Sequence, residues 1–227
     1  MDSSFSWGLW EANSNALVVL IIATVIWSWR SRTTSVRGAW WIAVLSGVVL
    51  LCSPIHANAM NSYPAHMSEH LIVILIIVPI GLWALSPGPV SPLVSMGGFL
   101  SYVALVPLYH LTSLGALIMR STGAHDVEIV VFALVGGFFW LGPLGSSFSK
   151  AQRITYIAMS LPVSIFTGLA LMSMDRIPFS LEAWQPHEAV MRGLHRGGLF
   201  MAIGSTMILA GHLTWSALPL SRERLAA

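Results

Sequence analysis

Charged side chains are scarce in this chain. Only 9% of its 227 residues are Asp, Glu, Lys or Arg, whereas 56% are hydrophobic, and the mean hydropathy is +0.76. A soluble domain carries about 25% charged residues, so this chain has too few polar groups to cover a surface that faces water. The composition therefore predicts an integral membrane protein in contact with the lipid bilayer, organised as one domain over residues 1–227.

Cysteine pairs, a signal peptide and the common catalytic motifs are also lacking. The one cysteine, Cys52, excludes a disulfide within the chain and any CxxC site. The N-terminal segment has no basic stretch followed by an apolar core, so we expect no cleavable signal peptide. The sequence contains no Walker motif, dinucleotide fingerprint or G-x-S-x-G motif, and we expect no nucleic-acid partner.

Seven apolar segments predict a bundle of transmembrane helices, because roughly 20 helical residues cross about 30 Å of hydrocarbon. The segments are residues 16–29, 39–54, 66–85, 95–119, 127–144, 154–174 and 194–218. They are uniformly apolar, without the alternation of a membrane β-barrel. The predicted fold class is therefore all-α, a seven-transmembrane-helix bundle in which the first two segments extend into their flanks.

The basic residues divide unequally between the two predicted faces of the membrane. Seven lie on one side, against four on the other, and the seven are Arg30, Arg32, Arg37, Lys150, Arg153, Arg222 and Arg224. Cytoplasmic connections carry the excess of Lys and Arg. We therefore predict an N-terminus outside, a cytoplasmic C-terminus and a multi-pass protein of the bacterial inner (cell) membrane.

The histidines divide even more unequally. Seven of the eight fall on the predicted outer side, and only His212 lies near the inner face. Ionisable groups in a membrane are costly, so a cluster of them at the ends of several helices indicates a shared site. The alternative is that outer loops simply hold the polar residues, although the inner connections are equally exposed and contain no histidine.

The strongest local motif, YPAHMSEH, opens the third apolar segment. His66 and His70 are four residues apart, so both imidazoles lie on one side of a helix and can reach one ion. His125 and Glu128 open the fifth segment three residues apart and reach the same face of the membrane. These four donors predict a metal site at the outer face, with Met67 as a further contact.

The donor types indicate which metal to expect. Imidazole suits copper, zinc, iron and nickel, whereas thioether sulfur favours Cu(I). Because Met67 adjoins His66, we expect a copper ion, with zinc as the alternative. The other outer histidines stay open as ligands; they are His56, His110, His187 and His195.

The stretch YPAHMSEHLIVILIIVPI resembles the signature of the CtaG family of cytochrome c oxidase assembly proteins. The later stretch HDVEIVVFALVGGFFWLGPLG and the Gly197-Gly198 pair followed by Met201 are similar to that family too. The resemblance implies a copper-binding assembly factor that helps to metallate a haem–copper oxidase and catalyses no turnover of its own. Its client would be a cytochrome c oxidase subunit, and a homo-oligomer stays open.

A zinc-dependent integral-membrane hydrolase is the alternative function, since some seven-helix hydrolases also use three histidines. It would need a metal-bound water and a nearby carboxylate, which Glu69, Asp126 or Glu128 could supply. Such hydrolases typically place HxxxH late in the chain, whereas His195 and His212 of the last segment are too far apart to share an ion. A structural subunit whose histidines bind no metal is the third alternative.

Overall fold

The computed structural model describes residues 34–85, 87–112, 114–115, 122–176 and 187–217, together with positions 8, 10, 18, 21, 22 and 24–26. Within this part of the chain the regular secondary structure is entirely helical. More than half of the first predicted segment, 16–29, lies outside the described residues. The same holds for four of the seven arginines and lysines on which the predicted orientation depends: Arg30, Arg32, Arg222 and Arg224.

Seven helices have both of their ends within the described residues. They are α1 (Thr34–Cys52), α2 (Pro54–Ala59), α3 (Tyr63–Leu85), α4 (Pro92–Leu111), α5 (Thr122–Leu144), α6 (Lys150–Ser173) and α7 (His187–Ala217). Five of them, α3 to α7, are long and apolar enough to cross a membrane, and α1 contains the shorter apolar helix Gly38–Cys52. The chain is therefore an all-α, multi-pass membrane protein.

Most of the long helices begin earlier than their apolar segments predict. Ser62, Ser91 and Ser149 cap α3, α4 and α6, each accepting a hydrogen bond from a backbone N–H in the first turn. A serine cap satisfies backbone donors at a helix start, but it is polar and therefore marks no apolar segment. The first turns of these helices consequently fall before residues 66, 95 and 154.

Two other boundaries differ from the prediction. α4 ends at Leu111 rather than at residue 119, because Thr112 has an extended backbone with φ −125° and ψ 172°. α7 begins at His187, so part of the polar connection before the last segment is helical. α2, only six residues long, lies between two predicted segments and was not expected.

The middle of α3 contains a π-helical turn over Val73–Ile77. Two of its carbonyl groups accept side-chain hydrogen bonds: Nε1 of Trp140 donates to Ile74 O at 2.7 Å, and Nε2 of His212 donates to Leu75 O at 2.8 Å. A π turn widens the helix and commonly occurs at functional sites. It separates the half of α3 that carries the YPAHMSEH motif from the apolar half that follows.

Glycines bring α7 against both α6 and α3. A Cβ atom on Gly198 would lie 2.6 Å from the carbonyl oxygen of Gly168, and a Cβ on Gly197 would lie 3.0 Å from the Cβ of Tyr63. Small residues allow such close approach of helix backbones in membranes. The paired glycines therefore seat the first residue of α3, three positions before His66, directly on α7.

The bundle has an apolar exterior and a partly ionisable interior. Large apolar side chains exposed on its surface include Val130, Leu134, Phe138, Phe166, Phe200 and Met207. The buried ionisable side chains are His66, Glu69, His70, His110, His125 and Glu128. An apolar exterior suits lipid, and ionisable residues buried inside a membrane bundle mark a functional site by default.

Candidate metal centre

Five histidines and two glutamates gather at one end of the bundle. They come from four helices: His56 of α2, His66, Glu69 and His70 of α3, His110 of α4, and His125 and Glu128 of α5. All except His56 are buried. The clustering follows from the chain direction, because α3 and α5 begin at this end while α4 finishes there.

Glu128 lies at the centre of the group. Its Oε1 atom is 2.9 Å from Nε2 of His70 and 3.3 Å from Nε2 of His66, and its Oε2 atom is 3.0 Å from Nδ1 of His125. The pair spaced by four residues on α3 and the pair spaced by three on α5 thus meet at one carboxylate. The fold brings together the four donors His66, His70, His125 and Glu128.

Glu69 forms a second centre beside the first. Its Oε1 atom is 2.6 Å from Nδ1 of His56, and its Oε2 atom is 2.9 Å from Nε2 of His125. His125 therefore contacts Glu128 with one ring nitrogen and Glu69 with the other. The stacked rings of His56 and His125 have centroids 5.3 Å apart.

His110 determines which nitrogen of His70 carries a proton when both rings are neutral. Nδ1 of His110 lies 2.7 Å from the Val106 carbonyl, which can only accept a hydrogen bond, so this nitrogen is the donor. Nε2 of His110 must then accept from Nδ1 of His70, 3.2 Å away. The remaining nitrogen of His70, Nε2, therefore presents a lone pair.

An acceptor lies beside this lone pair. Nε2 of His70 and Oε1 of Glu128 are 2.9 Å apart, yet the contact does not have the geometry of a hydrogen bond. Two acceptor atoms this close in a buried site are unfavourable unless a cation contacts both. A metal ion can contact both atoms without lying on the line between them, and imidazole and carboxylate are the donors of a metal site.

The same argument applies to His125 and Glu69. Nδ1 of His125 donates to Oε2 of Glu128, so in a neutral ring Nε2 carries the lone pair, and this nitrogen lies 2.9 Å from Oε2 of Glu69. This contact too lacks hydrogen-bond geometry. Two sets of three donors have their ligand atoms within 4.8 Å of one another: His56, Glu69 and His125 in one, and His66, His125 and Glu128 in the other.

Met67 is buried beside the cluster. Its side chain lines a cavity of about 20 Å³ together with His70, His110 and Met201. The predicted thioether thus borders the same small cavity as two of the imidazoles. A cavity of that size holds about one water molecule.

The remaining histidines do not join the cluster. His187 is exposed at the start of α7, and Nε2 of His195 lies 3.2 Å from the Met174 carbonyl. His212 donates to Leu75 O, far along α7 from His195, so the two share no ion. Cys52 is partly buried and belongs to neither of the two donor sets.

Sequence reasoning left three participants unassigned. His56 and His110 were open as ligands, and Glu69 was one of three carboxylates that a hydrolase could use. A signal for His56 exists, because Ser53 followed by Pro54 is a typical helix start and Ser53 does cap α2. The contact of His56 with Glu69, 13 positions along the chain, depends on how α2 folds back onto α3.

Comparison with known protein families identifies one match. The family model described as cytochrome c oxidase caa3 assembly factor (Caa3_CtaG) matches residues 90–223. This range includes His110, His125 and Glu128 and begins after His66 and His70. No curated protein and no solved structure matches the chain. Because the match extends over more than half of the sequence, the chain belongs to the family of cytochrome c oxidase caa3 assembly factors.

Proposed function

We propose that this protein binds a copper ion in its histidine–glutamate cluster and helps to metallate the copper centre of a haem–copper oxidase. One observation carries the proposal: inside a buried site, Nε2 of His70 lies 2.9 Å from Oε1 of Glu128 without the geometry of a hydrogen bond. A cation that contacts both atoms stabilises such a buried pair. Family membership indicates where the ion goes, because the family is one of cytochrome c oxidase assembly factors.

The copper-binding set consists of His66, His70 and Glu128, joined by His125, which contacts Glu128 through Nδ1. Imidazole nitrogen with carboxylate oxygen suits Cu(II), whereas a thioether suits Cu(I). Met67 lines the cavity next to His70 and offers such a thioether. An ion held by imidazole, carboxylate and thioether is easier to surrender than one enclosed by thiolates, as a delivery protein requires.

We propose further that the chain crosses a bacterial inner membrane seven times, with its N-terminus outside and the metal centre near the outer face. His125 and Glu128 lie in the first two turns of α5, whereas Lys150 and Arg153 begin α6 beyond the other end of α5. The ionisable cluster and these cations are therefore at opposite ends of one span, and Lys and Arg favour the cytoplasmic side.

The orientation is testable with reporter fusions. An enzyme active only outside the cytoplasm should be inactive when fused after Ala227 and active when inserted within residues 178–187. A fusion that is active after Ala227 and inactive in the loop would place the metal centre on the cytoplasmic side and contradict this topology.

The delivery function is tested in a deletion strain. We expect oxidase activity and oxidase-bound copper to fall while the oxidase polypeptides are still made, and added copper to restore part of both by mass action. The variant His66→Ala/His70→Ala should behave as the deletion does. His187→Ala is the matched control, because it removes an exposed histidine outside the cluster.

Two outcomes would contradict copper delivery. The first is normal copper in the oxidase of the deletion strain. The second is a purified protein that contains zinc and cleaves a lipid amide, which would favour the membrane hydrolase, since Glu69 lies close enough to His125 to assist a metal-bound water.

A further inference from the structure

The donors around Glu69 form a second group that shares only His125 with the copper-binding set. His56 of α2, Glu69 of α3 and His125 of α5 come from three helices, and their ligand atoms lie within 4.8 Å of one another. Nε2 of His125 faces Oε2 of Glu69 at 2.9 Å, without the geometry of a hydrogen bond. A cation that contacts both atoms stabilises this pair, as it does the pair of His70 and Glu128.

The two groups differ in their access to the surroundings. The difference lies at His56, whose side chain is 13% exposed, whereas those of Glu69, His66 and Glu128 are 0%, 0% and 1% exposed. Beyond His56 lies Asp126, whose side chain is 30% exposed and whose Oδ1 is 3.9 Å from Nε2 of His56. An ion that reaches the cluster from the exposed side therefore meets Asp126 and His56 before it meets Glu128.

His125 links the two groups. Its Nδ1 contacts Glu128 and its Nε2 contacts Glu69, so one imidazole ring lies between the two carboxylates. An ion can pass between the groups by exchanging ligands one at a time: a bond to Glu69 or His56 breaks as a bond to Glu128 or His66 forms. No electron is transferred and no co-reactant is needed.

We infer that the protein has two copper positions: an inner one at His66, His70 and Glu128, and an outer one at His56, Glu69 and His125 through which copper enters and leaves. The outer position takes the same class of ion, since it too combines imidazole nitrogen with carboxylate oxygen. The inference rests on the proposed function, because an exchange position has a use only if the inner position holds copper.

A competing arrangement uses a proton instead of a second ion. If His125 carries a proton on each nitrogen, its contacts with Glu69 and Glu128 are two charge-assisted ion pairs. The outer group is then a fixed network that orients His125 and binds no metal. The two arrangements predict different copper contents, so stoichiometry distinguishes them.

The test uses the purified full-length protein in lipid nanodiscs, loaded with Cu(II) and freed of excess metal. We expect two copper ions per chain in the wild type and one in His56→Ala. Glu69→Gln, which keeps the shape of the side chain and removes its charge, should also bind one. His66→Ala/His70→Ala should retain only the outer ion, and His187→Ala, the exposed control, should retain both.

Release kinetics give the second measurement. Copper at the inner position of the wild type should transfer to an added chelator at least 10-fold faster than in His56→Ala. The inner affinity of His56→Ala should stay within about threefold of the wild type. A structural role for His56 would weaken the inner affinity, whereas an exchange role slows release alone.

The following results would overturn the outer copper position or the proposed function. One copper ion per wild-type chain with unchanged release in His56→Ala overturns the outer position and leaves copper delivery standing. Two ions in both His56→Ala and Glu69→Gln, or none in either, also overturn it, because the two positions would then not be separable. A wild-type protein that binds no copper at all contradicts the proposed function itself.

Discussion

The two halves of the bundle differ in the partners of several buried side chains. At and beyond the π turn, three of them reach backbone carbonyls: Trp140 bonds Ile74 O, His212 bonds Leu75 O, and the hydroxyl of Tyr156 bonds the carbonyls of Ser95 and Phe139. In the other half, His70 and His125 each turn one nitrogen toward a carboxylate.

The comparison between His212 and His70 shows why a buried histidine alone says little about function. His212 donates a hydrogen bond to the Leu75 carbonyl of the π turn, and such a bond stabilises the folded state by about 1 kcal/mol. His70 has its Nδ1 satisfied by His110, while its Nε2 faces Oε1 of Glu128. The partner of the second nitrogen, and not the presence of the ring, distinguishes packing from a metal site.

The largest expected effect of a single substitution is that of Glu128→Gln. The variant keeps the shape of the central side chain and removes the charge that three imidazoles approach. Copper affinity, measured by competition with a chelator of known affinity, should fall by more than about 100-fold, because loss of a direct partner should exceed the 10–100-fold cost of losing an indirect one. Glu188→Gln, at an exposed position on α7, is the control.

If the folded Glu128→Gln protein bound copper as tightly as the wild type, the buried carboxylate would not make one half of the bundle a metal site. The variant should fold, since it leaves the carboxylate-sized volume filled. Helix content and thermal unfolding of the metal-free protein verify this before any affinity is compared.

A smaller effect is expected from His110→Phe. The ring volume is kept among the aromatic neighbours Tyr109 and Phe132, but the bond that directs the proton of His70 to Nδ1 is lost. Fixing the tautomer of a ligand histidine typically contributes 10–100-fold to metal affinity. We therefore expect copper binding to weaken by about 10-fold or more, with the stoichiometry unchanged.

The matched substitution in the other half is His212→Phe. It leaves Leu75 O without its side-chain donor, so the free energy of unfolding should fall by about 1–3 kcal/mol, while copper affinity stays the same. A loss of copper in His212→Phe equal to that in His110→Phe would show that the two histidines do not have different roles.

The sequence predicted what depends on spacing within one helix. His66 and His70 are separated by about one helical turn, as are His125 and Glu128, and hydropathy located most of the spans that carry them. These pairs follow from the 3.6-residue period of a helix. Parity of the spans then brought both pairs to one end of the bundle, as the structure has them.

Contacts between helices were not predictable from the sequence in the same way. The hydrogen bond of His110 to His70 joins residues 40 positions apart on two helices, so no spacing within one helix predicts it. The contact of His56 with Glu69 needs a helix of six residues, α2, which is too short to produce a hydropathy signal. Both follow from tertiary packing.

The π turn over Val73–Ile77 makes this part of α3 unlike the rest of the helix in its response to a change of length. Each residue of a regular helix advances the side chains by about 100° around the axis. A π turn closes an i→i+5 bond where an α-helix closes an i→i+4 bond, so it takes up about one extra residue without rotating the two halves of α3 against each other. A chain one residue shorter within this turn should therefore keep His66 and His70 directed at Glu128, whereas the same deletion in a regular part of α3 between His70 and its partners would rotate them by about 100°.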